Sequence, residues 1–431
     1  MNVVKANHNP RRDSCAAPST LSEVAWNPAR ETLNMALLTD SFLPHAGGSR
    51  VYYFNLFKGL SEQCGDQISI LTTKVPGWKS FDAAVQTPTF QIKRHAQPLP
   101  DWKYQQALKL FPAMARSLQL LRSQHVNLLH TGDLFPQGVV GMWIKRSLKI
   151  PYIAYAHGEE ITRTDCSRYQ YRVRDSVYTN ADRVIAANEF ARQNLLRIGV
   201  KDTSIYKITP GVDCERFAPS SPRQDLIRQL HLNGKTVLLS VGRLVPHKGH
   251  SVILTALAKL SNWPGDYHYI IVGEGPSKPA LMSLVRDLKL SGKVTFIGKV
   301  PETELADFYR LSDLFVLANR EVKGEMEGFG MVFLEANAAG KPVLGGRTGG
   351  TSEAVIENST GILVDPENVD EVVKALELLL SNIELRRRLG EAGRRRAVVD
   401  FSWSDRAHNL RQICLEVSER VRSALPAMHR C

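Results

Sequence analysis

Residues 320–353, REVKGEMEGFGMVFLEANAAGKPVLGGRTGGTSE, are the most informative stretch of the chain. The pattern predicts an acidic loop ending at Gly330, an apolar helix, a break at Lys341-Pro342, a short strand and a glycine-rich turn. Glu335 is unusual in that helix, because its neighbours are apolar and a buried carboxylate is rarely free. We expect Glu335 either to form a buried ion pair or to be held for a ligand. Glu327 lies just before the helix, where a negative charge favours the N-terminal end.

Length and composition limit the architecture. With 431 residues, 43% of them hydrophobic, the chain is long enough for two domains with separate cores. The six cysteines are scattered without a CxxC pair, which fits a reducing compartment better than a disulfide framework or a zinc site. No apolar run approaches the ~18 residues needed to span a bilayer, and the N-terminus lacks the apolar core of a signal peptide. We therefore expect a cytoplasmic protein with a disordered tail over residues 1–34.

The net charge of +12 and the pI of 9.4 indicate an anionic partner or a basic surface that favours solubility. Nucleic acid is not expected, because the sequence carries no nucleic-acid-binding motif. A basic amphipathic segment covers residues 102–124, with a helix break expected before Pro112. Such a segment either lies on an anionic membrane surface or packs on a sheet with its basic face in water. The first alternative would place the protein peripherally on the inner face of the membrane.

Two series of alternating strands and helices account for most of the chain. Roughly seven β-α units are predicted between residues 35 and 213. A linker rich in proline and serine follows at residues 219–222, and the alternation restarts near Thr236. This pattern favours the α/β class with doubly wound parallel sheets.

Three features occur where a predicted strand ends, which is where open α/β sheets bind ligands. Gly47-Gly48 would leave backbone N–H groups free at a helix N-terminus, a suitable place for phosphate. Arg243 and Lys248, within GRLVPHKG, add two cations to a similar turn. His157 ends a strand before a glycine, a position that fits a structural role as well as ligand contact.

Three spaced motifs resemble the retaining GT-B glycosyltransferases of family 4, among them the phosphatidylinositol mannosyltransferases. The motifs are Gly242-Arg243-Leu244 with Lys248-Gly249, the pair Glu327 and Glu335, and Gly349-Gly350 with Glu353. Their order and their positions after predicted strands make the set more specific than any single motif. The resemblance extends from about residue 36 to residue 403.

The resemblance implies two Rossmann-like domains that face each other across a cleft, with the C-terminal helix crossing back to the first domain near Trp403. The expected acceptor-binding domain comprises residues 35–213 and 404–431. The expected nucleotide-sugar-binding domain comprises residues 214–403.

The resemblance also implies roles for individual residues. His157 would lie beside the donor sugar near the reacting carbon, and Glu327 would bind the hydroxyls of that sugar. Arg243 and Lys248 would bind the diphosphate, and these four residues would form the catalytic set. Glu335 would accept hydrogen bonds from the ribose. The other donor-binding residues would be Gly47 and Gly48 at the phosphate, Lys299 and Val300 near the base, and Phe329 and Gly330 through their backbone.

Neither a cofactor nor a metal is expected. Gly273-Glu274-Gly275 has Lys278 where a dinucleotide fingerprint requires a third glycine. Departure of the leaving group builds negative charge on the diphosphate, which two cations and a helix N-terminus can offset. The sequence also contains no Asp-x-Asp pair, in agreement with metal-independent chemistry.

The sequence thus predicts a hexosyltransferase that uses a nucleotide-diphosphate sugar of the GDP-mannose or UDP-glucose type, with GDP-mannose favoured. The acceptor would be a hydroxyl of a glycan or of a lipid-linked acceptor. Two alternatives stay open: a nucleotide-sugar epimerase of GT-B fold, and a non-catalytic nucleotide-sugar-binding protein. Conversion of the donor to an isomer without acceptor would identify the epimerase, and donor binding without transfer would identify the binding protein.

Overall fold

The computed structural model describes residues 32–45, 47–96, 106–158, 161, 167–260 and 263–428. Nearly all of the expected N-terminal tail lies outside the described residues, as do residues 97–105, which include the beginning of the basic segment. The described chain forms two parallel sheets, each with helices packed against it.

The first sheet is built from seven parallel strands and the helices between them. The strands are β1 (Asn34–Leu38), β2 (Gln67–Thr73), β3 (Phe90–His95), β4 (Leu128–Thr131), β5 (Tyr152–Ala156), β6 (Arg183–Ala186) and β7 (Ile205–Lys207). The helices are α1 (Gly48–Cys64), α2 (Trp78–Val85), α3 (Gln106–Gln124), α4 (Val139–Leu148), α5 (Arg168–Asn180) and α6 (Glu189–Arg197). The strand order is β3-β2-β1-β4-β5-β6-β7, so the direction of winding reverses between β1 and β4. This reversal is the topological switch point of the sheet.

The second sheet has six parallel strands and the same kind of winding. Its strands are β8 (Thr236–Val241), β9 (Tyr267–Val272), β10 (Val294–Gly298), β11 (Leu314–Leu317), β12 (Val343–Gly346) and β13 (Gly361–Val364). Its helices are α7 (Gln224–Gln229), α8 (His250–Lys259), α9 (Lys278–Asp287), α10 (Glu302–Leu311), α11 (Met331–Ala338), α12 (Thr351–Ala354), α13 (Val369–Ser381) and α14 (Ile383–Asp400). The order β10-β9-β8-β11-β12-β13 reverses between β8 and β11.

Burial on both faces explains why the strands appear in the sequence as continuous apolar runs. Every residue of β5, with the sequence YIAYA, and of β11, with the sequence LFVL, is buried. Parallel strands covered by helices on both faces have no solvated side to which a polar residue could point. The expected α/β class with two doubly wound parallel sheets is confirmed.

The last helix, α15 (Trp403–Met428), returns to the first sheet, as expected. It packs on α1 at Gly59, where a Cβ would lie only 2.7 Å from the Cβ of Ala407. Further along, Arg411 Nε pairs with Asp66 Oδ2 at 3.0 Å, and the carboxylate of Asp66 is fully buried. A small residue and a buried ion pair thus fix the crossing helix on the first half of the protein.

One expectation about α3 is wrong. The sequence predicts a break before Pro112, but the helix continues from Gln106 to Gln124 with Pro112 inside it. Pro112 is exposed, whereas Leu120 and Leu121 are buried in the core of the first sheet. Packing of this apolar face outweighs the one backbone hydrogen bond that the proline removes.

We expect Arg411→Ala to lower the free energy of unfolding by about 3–5 kcal/mol, because losing one partner of a buried ion pair leaves an uncompensated charge. Leu33 N also donates to the Asp66 carboxylate at 3.0 Å, so the loss would reach β1. Arg420→Ala, at an exposed position of the same helix, is the matched control and should change stability by less than about 0.5 kcal/mol. Urea denaturation followed by circular dichroism measures both, and equal midpoints for the two variants would contradict the expectation.

Candidate active site

The switch point of the second sheet brings two of the predicted site residues into contact. The loops after β8 and β11 lie side by side there, and they carry Lys248 and Glu327, respectively. Lys248 Nζ donates to Glu327 Oε2, and the two side chains are only 15% and 11% exposed. The ion pair therefore lies at the carboxyl edge of a parallel sheet, where α/β folds bind ligands.

The glycine-rich turn after β12 fixes the end of the acidic loop. Gly349 has a φ of +55°, and a Cβ at this position would lie 2.1 Å from Glu327 O. A Cβ on Gly350 would lie 2.1 Å from Gly328 O, and Gly350 N donates to Glu327 O at 3.2 Å. Backbone packs directly on backbone here, so a larger residue would displace Glu327 from Lys248.

The N-termini of two helices, one from each half, lie close together in the cleft. α1 begins at Gly48 and α11 begins at Met331, and a Cβ on Gly48 would contact Met331 Cε at 3.7 Å. Neither Gly47 before α1 nor Gly330 before α11 provides a side-chain cap. The first backbone N–H groups of both helices therefore have no side-chain cap, and each helix dipole favours an anion near its N-terminus.

Positively charged side chains surround the same space. Arg243 is exposed and makes no ion pair with any described residue. Burial lowers the pKa of His45, and the neighbouring charges of Arg50, Lys299 and Arg243 lower it further. Arg50 and His45 belong to the first sheet, whereas Arg243 and Lys299 belong to the second. Positive charge from both halves is thus concentrated where the helix N-termini meet, an arrangement that suits a diphosphate.

Sequence patterns do not single out Arg50, although the structure places it at the cleft. Its Nε donates to Ser41 Oγ at 2.8 Å. Burial lowers the pKa of the Arg50 guanidinium, Asp133 raises it and Arg243 lowers it, so the side chain lies between an acidic and a basic group. A cation in the first turn of a helix opposes the helix dipole. This unfavourable placement, two residues after Gly48, is the signal that could have identified Arg50.

His157 follows β5 and is held from two sides. Its Nε2 lies 2.9 Å from Tyr53 Oη, and the two rings meet edge to face. Asn188 Nδ2 donates to His157 O at 3.1 Å and also to Gly328 O, so one side chain joins the histidine to the loop of the second sheet. Sequence patterns miss Tyr53 and Asn188, since neither belongs to a motif.

Within the protein, Glu335 does not form the ion pair that the sequence suggested as one alternative. Tyr309 Oη donates to Glu335 Oε2 at 2.6 Å, so the carboxylate forms a hydrogen bond and not an ion pair. Burial raises the pKa of Glu335 to about 7, and the hydrogen bond from Tyr309 acts in the opposite direction. Glu327 and Glu335 therefore have separate partners on different elements.

The remaining predicted residues divide between cleft and core. Lys299 follows β10 and is exposed, and Val300 is half-buried against the core of the second sheet. Phe329 is buried in that core, so only its backbone is available to a ligand. Gly330 ends the acidic loop immediately before α11.

Two family models and several known proteins match this chain. A family model for Glycosyl transferases group 1 matches residues 222–396, and one for Glycosyltransferase Family 4 matches residues 46–216. A D-inositol 3-phosphate glycosyltransferase of Corynebacterium glutamicum (strain R) is 31% identical over 295 residues, which cover 63% of this chain and 68% of that protein. The chain belongs to the group 1 glycosyltransferases.

Other similarities extend over more of this glycosyltransferase. A GDP-mannose-dependent α-(1-6)-phosphatidylinositol monomannoside mannosyltransferase of Mycolicibacterium smegmatis is 28% identical over 389 residues, which cover 88% of this chain and 97% of that protein. The structure of Anabaena HepE in complex with UDP and glucose is similar, with a TM-score of 0.74 at 19% identity, and the match covers 89% of this chain and 99% of HepE. The fold of the glycosyltransferase is GT-B, with two Rossmann-like halves.

Glu335→Gln tests the state of the buried carboxylate. The pKa of Glu335 is about 7 against an ordinary 4.5, so the unfolded chain loses this proton at a lower pH than the folded protein. The contribution of Glu335 to wild-type stability therefore falls as the pH rises from 4.5 to 7, and the loss is complete above 7. Because glutamine stays neutral, the melting temperature of Glu335→Gln should match the wild type near pH 4.5 and exceed it above pH 7.

The exposed Glu419 on α15 provides the control for this series. The difference in melting temperature between Glu419→Gln and the wild type should be the same near pH 4.5 and above pH 7. A gain for Glu335→Gln that is largest at low pH would contradict a raised pKa.

Proposed function

We propose that this glycosyltransferase moves a hexose from a nucleotide-diphosphate hexose to an acceptor hydroxyl, with retention of the anomeric configuration. The observation that supports this most directly is the convergence of two uncapped helix N-termini with Arg243 and Lys248 in one cleft. A diphosphate is the ligand group that matches this density of N–H donors and positive charge.

Departure of the diphosphate is the step that the positive charge would accelerate. When the bond between C1 of the hexose and the phosphate oxygen breaks, negative charge builds on the diphosphate. Arg243 can bind it in bidentate fashion, Lys248 adds a point charge, and the N–H groups at the start of α11 complete the site. We expect these groups to be sufficient without a cofactor or a metal, and transfer in the presence of excess EDTA should equal transfer in its absence.

The two glutamates would bind different parts of the donor. Glu335 would accept hydrogen bonds from the ribose hydroxyls, while Tyr309 fixes its Oε2. Glu327 would bind the hydroxyls of the hexose. Because Glu327 is paired with Lys248 in the free protein, donor binding replaces one ion pair by two contacts, Lys248 to phosphate and Glu327 to the sugar.

Retention follows if the acceptor attacks C1 from the face on which the diphosphate leaves. The acceptor oxygen forms the new bond to C1, and the bond from C1 to the phosphate oxygen breaks with its electron pair. The proton of the acceptor hydroxyl passes to the departing phosphate oxygen. His157 would lie beside the reacting carbon, where Tyr53 and Asn188 fix its ring and its peptide group.

The relatives favour GDP-mannose as the donor and a lipid-linked acceptor. The mycobacterial relative is by its name GDP-mannose-dependent and acts on phosphatidylinositol monomannoside. The HepE structure, by contrast, contains UDP. The choice between guanine and uracil therefore has to be decided by comparing the two donors in one assay. We propose GDP-mannose as donor and a phosphoinositide or another lipid-linked glycan as acceptor.

A lipid-linked acceptor would require contact with a membrane surface. Over the described residues, no helix is long and apolar enough to cross a membrane. Phe111 of α3 is 76% exposed, and the same helix also carries Lys109, Arg116 and Arg122. An exposed apolar side chain on a basic helix is typical of segments that lie on anionic lipid. We propose that the protein acts from the cytoplasm at the inner face of the membrane.

Lys248→Ala should reduce kcat/KM for hexose transfer by about 10²–10³-fold, because it removes a positively charged donor from the developing diphosphate charge. Glu327→Ala should also reduce it, since the hexose loses a hydroxyl partner. Lys374→Ala, an exposed lysine on α13, is the control and should leave transfer unchanged. The measurement is product formation from GDP-mannose and from UDP-glucose, with phosphatidylinositol monomannoside, phosphatidylinositol and inositol 3-phosphate as acceptors. We expect GDP-mannose to be the better donor.

Three results of that assay would overturn the proposal. Unchanged transfer by Lys248→Ala and Glu327→Ala would show that the site is wrong. Acceptor-free conversion of the donor to an isomer would identify an epimerase. Donor binding without transfer to any acceptor would identify a binding protein.

Phe111→Asp tests the membrane contact. The wild-type protein should sediment with vesicles of anionic lipid and not with neutral vesicles, and Phe111→Asp should reduce the bound fraction severalfold by placing a charge where an apolar group inserts. Ile383→Asp is a matched control, because Ile383 is 74% exposed at the start of α14 on the other half of the protein. Equal sedimentation with anionic and neutral vesicles would contradict membrane attachment by charge.

A further inference from the structure

The switch point of the first sheet contains polar side chains that the proposed donor site does not use. The winding reverses between β1 and β4, and each of these strands is followed by an aspartate, Asp40 after β1 and Asp133 after β4. Open α/β sheets bind ligands in the crevice at the carboxyl ends of the strands at this point. Two carboxylates thus flank the crevice that faces the donor half.

The carboxylate of Asp133 is fixed through one of its oxygens. Oδ2 accepts a hydrogen bond from Thr39 Oγ1 at 2.8 Å and another from Asp40 N at 2.7 Å. Burial raises the pKa of Asp133, and the N–H of Asp40 acts against this. Oδ1 accepts no hydrogen bond from the described residues, so it is the oxygen that a ligand could use.

Gln137 provides a separate indication that the crevice lacks donors. Its side chain is 6% exposed, and Nε2 donates to Asp40 Oδ1, which directs the amide towards the crevice. Its Oε1 is buried and has no hydrogen-bond partner among the described residues. A buried acceptor without a donor is unfavourable in the free protein. A ligand with several hydroxyl groups would supply the missing donor to Asp133 and, after a shift of the Gln137 side chain, to Gln137 Oε1 as well.

The crevice adjoins the proposed reaction centre. Tyr53 Oη donates to Gly132 O at 2.8 Å, immediately before Asp133, and lies 2.9 Å from His157 Nε2. On the other side, the Arg50 guanidinium interacts electrostatically with both Asp133 and Arg243. The acidic crevice and the basic donor cleft are therefore neighbours with Arg50 between them.

We propose that Asp133, together with Asp40 and Gln137, binds ring hydroxyls of the acceptor, and that the reacting ring of the acceptor is therefore a neutral polyol. Carboxylates accept hydrogen bonds from hydroxyl groups and repel phosphate or carboxylate groups at the same position. Any phosphate of the acceptor lies outside this crevice. The identification of the bound polyol as the acceptor rests on the proposed function, whereas the polyol site does not.

Polyol binding can be measured without turnover. The full chain is saturated with GDP, and saturation-transfer NMR is recorded with methyl α-D-mannopyranoside and with myo-inositol as neutral probes. D-glucuronate is the anionic probe. At least one neutral probe should give a saturation-transfer signal with the wild-type protein, and the signal from D-glucuronate should be several times weaker. Asp133→Asn and Asp133→Ala should weaken neutral-probe binding at least tenfold, while calorimetric affinity for GDP changes less than twofold.

Two further variants separate binding from folding. Asp287→Asn changes an exposed aspartate on α9 and should leave polyol binding unchanged. The Asp133 variants lose the hydrogen bonds to Thr39 and to Asp40 N, which could unfold them. Gln137→Leu keeps these two hydrogen bonds and tests the same crevice. It should weaken neutral-probe binding at least threefold.

The outcomes separate this inference from the proposed function. No saturation of either neutral probe, equal binding by the Asp133 and Gln137 variants and the wild type, or an equal signal from D-glucuronate would overturn the polyol site. Binding that depends on Asp133 in a protein that transfers no hexose would overturn the proposed function and leave the polyol site standing. If transfer is observed, Asp133→Asn should raise the acceptor KM at least tenfold with little change in the donor KM.

Discussion

The ion pair between Lys248 and Glu327 compensates a cleft that is otherwise strongly positive. Arg243 and Lys299 from the second sheet and Arg50 from the first bring like charges together, and two helix N-termini add to them. These positive groups repel one another unless an anion lies between them. Glu327 supplies that anion from within the protein, held in place by the glycine turn behind it. A diphosphate carries more negative charge than one carboxylate, so it can replace Glu327 beside Lys248 and leave the glutamate for hydroxyl groups.

A similar exchange applies to Glu335. In the free protein its carboxylate accepts one hydrogen bond from Tyr309, and its burial favours the protonated form, as the raised pKa shows. A diol that donates to the carboxylate would favour the ionised form and reverse that shift. Glu327 and Glu335 thus each have a partner in the free protein that the donor can replace or supplement.

The fold could be predicted because buried parallel strands leave a strong pattern, an apolar run followed by a glycine or a polar residue. Lys248, Glu327 and Glu335 could be predicted because they lie in motifs of fixed spacing on neighbouring loops. Tyr309 and Asn188 could not, because their partners are 26 and 140 residues away and no local pattern encodes which loops meet across a sheet. Pro112 shows the opposite failure: its local effect is real, but burial of Leu120 and Leu121 outweighs it.

Three polar contacts join loops of the first half to loops of the second. Asn188 donates to Gly328 O, Glu189 N donates to Glu353 Oε1 at 2.6 Å, and Lys207 pairs with Glu353 at 3.2 Å. Glu353 belongs to the third family motif, which gives that motif a role in holding the halves together. At the donor site Arg50 of the first sheet lies near Arg243 of the second, so like charges face each other there. A bound diphosphate would bridge the halves where the protein alone repels itself. The acidic crevice around Asp133 would then lie beside a donor site whose positive charge is compensated.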